Sequence, residues 1–125
     1  MVDADPQATV INWHLTEGSP LQDMTVVADT SDRIGQTIER LRSDHRPVLV
    51  DTPGFRGRAT INALAAADLA VIPCRASPDD VRVTLDTYRL VLELNETRER
   101  QGRPIAPTIL LTMVTQGSVI SRHIR

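Results

Sequence analysis

Val48-Leu49-Val50-Asp51-Thr52-Pro53-Gly54 is an apolar run that ends in an acid and then breaks on proline and glycine. Three consecutive aliphatic residues, two of them β-branched, predict a strand buried on both faces, as in parallel sheets. Ligands of open α/β sheets sit at the carboxyl ends of strands. Asp51 therefore stands where a carboxylate either holds a metal ion beside phosphates or caps the loop that follows. The segment by itself leaves both roles open.

Outward from it, strand-like and helix-like stretches alternate. Thr25-Val26-Val27-Ala28 reads as a strand, and Asp29-Thr30-Ser31-Asp32 supplies helix-start residues. Between about Arg33 and Ser43 the residues Ile34, Ile38 and Leu41 fall at i, i+4 and i+7, the stripe of an amphipathic helix. Pro47 to Asp51 is the next strand, Thr60 to Ala67 an alanine-rich helix, and Leu69-Ala70-Val71-Ile72-Pro73 a buried strand closed by proline. Ser77-Pro78-Asp79-Asp80 starts a helix, with Ser as cap, Pro at the first helical position and acids at the positive end of the dipole. That helix runs to about Arg100, with Val81, Leu85, Tyr88, Val91 or Leu92 and Asn95 expected on its inner face. Thr108 to Met113 is a last strand, followed by a turn at Thr115-Gln116-Gly117-Ser118 and the start of another helix. Strands separated by helices predict an α/β fold, a doubly wound and mostly parallel sheet. Residues 1–125 read as a single incomplete domain. The chain opens in what reads as the end of a strand and stops at Arg125 in mid-helix, the look of a fragment or a misplaced start.

Composition narrows the chemistry. Aromatic residues make up 2% of the chain, one each of Trp13, Phe55 and Tyr88, so the core is aliphatic. A formal net charge of −2 gives no global attraction to nucleic acid or to an acidic membrane. All 14 Lys and Arg residues are arginine, and the chain contains no lysine. The lone Cys74 excludes an internal disulfide and a cysteine-based metal site, and fits a reducing cytoplasm. No signal peptide and no run of roughly 20 apolar residues is present, so a soluble protein without membrane association is expected. His14, His45 and His123 show no metal-ligand spacing and read as surface or capping residues. Cys74 reads as a small buried residue, and Trp13 as packing the helix after the amino-terminal acids.

Asp3-Ala4-Asp5-Pro6-Gln7 places two acids two residues apart. On an extended segment these point the same way, toward one cation or one attacking water, which acid–base work on phosphates can use. In order with Val48 to Gly54, with Ala66-Ala67-Asp68-Leu69-Ala70-Val71-Ile72-Pro73, and with Leu110-Leu111-Thr112-Met113-Val114, this motif resembles the ParA/MinD group of deviant-Walker P-loop ATPases, the ParA partition proteins above all. The resemblance covers nearly the whole chain. It implies a sheet of the P-loop NTPase type. It implies that Asp5 positions the hydrolytic water, that Asp3 is its companion beside the magnesium shell, and that Asp51 is the Walker B acid on Mg2+. Gly54 and Gly57 fall in the loop that senses the γ-phosphate, although Phe55-Arg56 departs from the family pattern there. Pro73, Thr112 and Met113 fall where the adenine pocket is lined. The basic residues Arg122 and Arg125 are candidates for a DNA-binding patch.

The same resemblance implies an ATPase acting in plasmid or chromosome partitioning, cytoplasmic and nucleoid-associated when active. Its cofactors are ATP and Mg2+. Its partners are a second copy in an ATP-dependent homodimer, non-specific DNA and a centromere-binding ParB-like protein. The family's phosphate loop, Lys-Gly-Gly-x-Gly-Lys-Thr or Ser, precedes the Asp-x-Asp-Pro-Gln strand. These 125 residues hold neither a glycine-rich loop nor a lysine to substitute for it. The sheet is therefore expected to lack its first, phosphate-loop strand, which leaves two neighbouring strands with unpaired edges. The alternative reading is a truncated remnant or regulatory module that neither binds nor hydrolyses nucleotide. Asp51-Thr52-Pro53-Gly54 also fits a GTPase switch, but guanine-reading motifs need a lysine that the chain lacks.

Overall fold

The computed structural model describes residues 1–54 and 57–114. The chain divides into two compact units, Met1–Ala66 and Ala67–Arg125. The expected turn at Thr115 to Ser118 and the helix after it lie outside the described residues.

The first unit runs β1 (Val2–Asp3), α1 (Thr9–His14), β2 (Val27–Ala28), α2 (Ile34–Asp44), β3 (Val50–Asp51) and α3 (Arg58–Ala66). Its three strands form a parallel sheet of order β2-β1-β3. Val2 lies opposite Val27 on one side and Val50 on the other, and Asp3 opposite Ala28 and Asp51. The ladder is shorter than the apolar run predicts, although the Val2 amide extends it by donating to the Leu49 carbonyl at 2.8 Å. Pro47, at the head of that run, has no N–H to contribute.

Successive residues of a strand face opposite sides. Val2 and Ala4 face the core, where they meet Ile34 and Ile38 of α2 and Ala63 of α3, with Leu41, Val48, Val50 and Ala66 packed around them. The predicted i, i+4, i+7 stripe of α2 is thus the face that packs. Burying Val2 and Ile34 completely contributes about 1.5–3 kcal/mol each.

The start of α2 is set by Asp29, whose own amide donates to the Asp3 carbonyl at 2.9 Å. One Asp29 carboxylate oxygen accepts from the Ser31 amide and hydroxyl at 2.9 and 2.7 Å, and the other from the Thr37 hydroxyl at 2.6 Å. Burial works against the charge on Asp29. The Thr37 and Ser31 hydrogen bonds and the field of Arg40 outweigh it and hold the carboxyl below its ordinary range.

The second unit runs β4 (Leu69–Arg75), α4 (Pro78–Arg98), a 3-10 turn at Glu99–Gln101 and β5 (Ala106–Thr112). The two strands pair in parallel from Leu69 opposite Ala106 to Arg75 opposite Thr112. Helix α4 opens as predicted. The Ser77 hydroxyl accepts the Asp80 amide at 3.2 Å and donates to its carboxylate, while Pro78 is the first helical residue.

Two expectations fail here, for related reasons. The unbroken apolar run of β4 predicts burial on both faces. Instead Ala70, Ile72 and Cys74 are buried, whereas Leu69 and Val71 are more than half exposed, at 55% and 53%. One helix over a two-stranded sheet covers one face. The inner face of α4 is likewise centred on Thr84, Leu90, Val91 and Asn95. Val91, rather than Leu92, and Asn95 are inside as expected, whereas Val81 and Leu85, also expected inside, are exposed. A pair of strands is narrower than the apolar arc of the helix, so the flank of that arc overhangs.

Asn95 closes the unit. Its side-chain amide donates to the Ile105 carbonyl and its oxygen accepts the Ile105 amide, both at 2.8 Å. This bracket fixes the entry into β5 after Gly102, which turns the chain at φ 68°. Together the two units give an α/β fold of parallel strands in two small sheets rather than one described sheet.

Asn95→Ala removes both partners of buried Ile105 backbone groups and is expected to cost about 2–4 kcal/mol. Urea unfolding monitored on β4 and β5 checks this, with exposed Thr97→Ala changing stability by less than about 0.5 kcal/mol. Among the described residues β3 and β4 each pair on one side only, and several large apolar residues of the second unit are exposed. Sedimentation over a concentration series is therefore expected to show self-association of the isolated chain. A monomer throughout that series contradicts this.

Candidate functional site

The carboxyl end of the first unit's sheet is acidic, because β1, β2 and β3 each deliver an aspartate there: Asp3, Asp29 and Asp51. Asp29 is consumed by the start of α2. Asp3 and Asp51 are register partners on adjacent parallel strands, so their side chains leave the sheet on the same face. Asp5 follows two residues after β1.

The two-residue spacing predicts that Asp3 and Asp5 share one direction and one task. The structure separates them. Strand β1 ends at Asp3, and the chain then turns. Asp3 is 1% exposed. Its carboxylate accepts the Asp5 amide at 3.2 Å on one oxygen and the Ile11 amide at 2.9 Å on the other. Asp5 remains half-buried, and one of its carboxylate oxygens accepts the Gln7 amide at 2.8 Å.

Asp51 is the acid of this group with no side-chain hydrogen bond or ion pair among the described residues. Burial, then the field of Asp3, then that of Asp5 push its carboxyl above the ordinary range. The arrangement suits an arriving cation, which would relieve the repulsion. No group of three or more ligating side chains is set to hold a metal among the described residues. Magnesium does not require one, since it is commonly held by one or two carboxylates with water and substrate phosphates completing its shell. Asp51 fits that pattern.

The Thr52 to Gly54 segment leaves β3 tied to α3, as the Thr60 hydroxyl donates to the Pro53 carbonyl at 3.5 Å. Gly54 is exposed, and nothing lies within 4 Å of a side chain built on it. Packing among the described residues therefore does not explain the glycine. Gly57 is half-buried at the entry to α3.

Pro73, Thr112 and Met113 belong to the second unit, at the carboxyl ends of β4 and β5. Pro73 is exposed, Met113 is 82% exposed with φ at 53°, and the Thr112 hydroxyl donates to the Cys74 carbonyl at 3.5 Å. Arg122 and Arg125 lie outside the described residues. A shallow groove of about 420 Å³ runs between α2 and α3, lined by Asp32, Gln36, Glu39 and Asn62 among others. It is wide open to solvent and holds none of the acids just described, so the charge arrangement at the sheet end is the better guide to a site.

Other sequence readings are settled locally. The His14 ring lies 2.8 Å from the Leu21 carbonyl, a structural tie. Cys74 is buried, as expected, and its thiol donates to the Arg75 carbonyl at 3.4 Å. Trp13 is 55% exposed rather than packed, because α1 has six residues and buries none of them. The link from Asp3 to Ile11 escaped sequence reading. The acid acts on an amide eight positions away, and no local spacing announces that. No described helix is long and apolar enough to cross a membrane.

No family model matches the chain, and no solved structure matches it. The chain is similar to Protein ParA of Rhizobium radiobacter, with 30% identity over 116 residues, which is 92% of this chain and 50% of that protein. The chain thus spans half the length of this curated relative. The match supports a ParA-like relation along nearly all of the 125 residues.

Because the folded state raises the pKa of Asp51, ionising it there costs stability that the unfolded chain does not lose. The cost is absent when the group is protonated and complete above the raised value. Asp51→Asn is therefore expected to raise the melting temperature at pH 7, with the difference closing as pH falls to about 4. Melts of both proteins across that range check it. A variant less stable than the parent at pH 7 overturns the electrostatic account.

Proposed function

We propose that the chain belongs to a ParA-like ATPase acting in plasmid or chromosome partitioning, and holds the acid-bearing strands of its nucleotide site. The observation that carries this is Asp51, a partnerless, repelled carboxylate at the carboxyl end of a parallel strand beside Asp5. It stands in a chain that matches Protein ParA over most of its length. Ligands of parallel α/β sheets bind at the carboxyl ends of the strands, and a carboxylate there can hold the magnesium ion that accompanies nucleotide phosphates.

In this reading Asp51 holds Mg2+, and Asp5, half-buried, orients the attacking water through its second carboxylate oxygen. Magnesium, when bound, supplies charge neutralisation for the phosphates of ATP. Gly54 and Gly57 lie in the segment that responds to the γ-phosphate, and a glycine at position 54 that packing among the described residues does not require suits that task. Pro73, Thr112 and Met113 are proposed for the base. Dimerisation with ATP, non-specific DNA binding that includes Arg122 and Arg125, a ParB-like partner and a cytoplasmic location complete the proposal. The rival reading is a truncated remnant or regulatory module that neither binds nor hydrolyses nucleotide.

The discriminating experiment reads the DNA upstream of the Met1 codon and assays the resulting protein. An in-frame Lys-Gly-Gly-x-Gly-Lys-Thr or Ser within roughly 30 codons, about one βαβ unit, is expected. The extended protein should then hydrolyse ATP with Mg2+, and Asp5→Ala should lower that rate about 100-fold while leaving nucleotide binding intact. A stop codon or unrelated sequence upstream, together with no nucleotide binding by the 125-residue chain, overturns the ATPase reading in favour of the rival.

A further inference from the structure

We infer that Asp3 is a positioning residue: it locks the turn that carries Asp5 into a strained conformation and does not itself meet a ligand.

The turn from Asp3 to α1 is over-determined. Asp3 takes the Asp5 amide on one carboxylate oxygen and the Ile11 amide on the other. Within the turn, the Gln7 amide donates to the Asp5 carboxylate at 2.8 Å and the Ala8 amide to the Asp5 carbonyl at 2.9 Å. Helix α1 continues directly, with the Asn12 amide donating to the Ala8 carbonyl at 3.0 Å. At the junction Ala8 is left-handed, with φ 54° and ψ 37°.

A residue with a β-carbon is disfavoured in that conformation, because the β-carbon crowds the following carbonyl oxygen, and alanine has no side-chain hydrogen bond to offset it. Relaxing Ala8 to a right-handed value would swing Gln7 and Asp5 away from α1. What opposes this is the Asp3 carboxylate, which grips the chain on both sides of the turn, at Asp5 and at Ile11. A carboxylate retains further lone pairs after two hydrogen bonds. At 1% exposure, however, Asp3 leaves almost no surface open to an arriving ligand.

Asp3 thus acts on Asp5 through the backbone. Its negative charge also adds to the repulsion felt by Asp51, so one buried group both shapes the turn and prepares the neighbouring strand for a cation. The inference rests on the proposed function only in naming Asp5 as the group that benefits. The lock itself is a property of the chain without nucleotide.

The test is amide hydrogen exchange on the 125-residue chain, comparing the parent with Asp3→Ala, Ala8→Gly and the double variant, each corrected for intrinsic rates. The informative amides are those of Gln7 and residue 8, because both donate to Asp5 and neither touches Asp3. Asp3→Ala is expected to speed their exchange about tenfold or more, with α2 amides changing less than about twofold, on the scale of one broken charge-assisted bond. Glycine adopts the left-handed conformation freely, so Ala8→Gly in the Asp3→Ala background should return both amides to within about threefold of the parent. Ile11 should stay fast, its acceptor being gone.

If Asp3→Ala speeds Ile11 alone, Asp3 is a simple helix cap and the inference fails. It fails equally if Ala8→Gly restores nothing. Should Asp3→Ala unfold the chain altogether, Ala8→Gly alone decides. Slower exchange at Gln7 and residue 8 is expected, and unchanged or faster exchange overturns the strained lock. None of these outcomes depends on ATP, so the result stands apart from the ATPase reading.

Discussion

The pairing of β1 with a strand on each side is the constraint on which the first unit depends. Two residues, Val2 and Asp3, are the only β1 ladder, yet they set both the packing and the chemistry. Val2 and Ala4 are fully buried against α2 and α3, while Asp3, alternating with them, faces the other way. Parallel register then brings the ends of β2 and β3 level with Asp3. An acid at the end of each strand would be costly if all were left alone. The sheet disposes of them in three ways: Asp29 is spent on hydroxyls and an amide, Asp3 on two amides, and Asp51 on nothing.

That division of labour is electrostatic. Hydrogen bonds to a carboxylate favour its charged form, and like charges disfavour it. Asp29, with three such bonds, is held below the ordinary range; Asp51, with burial and two acidic neighbours, is pushed above it. The difference between neighbouring aspartates of one sheet end comes from partners, and Asp51 is the one whose charge no neighbouring group offsets among the described residues.

The second unit solves a simpler problem. Two strands and one helix have little interior, and the buried residues form a thin line: Ala70, Ile72 and Cys74 below, Leu90 and Val91 above, Ile105 at the end. Its definition comes from polar brackets. Asn95 satisfies both backbone groups of Ile105, and the Arg98 guanidinium donates to the carbonyls of Ala67 and Arg103 at 2.9 and 2.8 Å, tying the end of α4 to the chain on either side of the unit. These bonds hold the loops that place β4 and β5 side by side.

Much of this was legible in the amino-acid order. The order of strands and helices, the stripe of α2, the Ser77 cap with Pro78, and the acid at the end of β3 follow from period, cap chemistry and β-branched runs, all of which act between residues close in the chain. What each face of an element meets did not follow. The apolar runs of β4 and α4 are wider than the surfaces that cover them in the second unit, so Leu69, Val71, Val81, Leu85 and Leu92 stay exposed. Nor did the roles of the acids follow. Asp3 and Asp5 look alike in sequence. Only the fold, by bringing the Ile11 amide onto Asp3 and leaving Asp51 beside other acids, decided which carboxylate is buried and bonded and which is free. Spacing records a residue's neighbours along the chain, whereas its charge state and its task are set by neighbours across it.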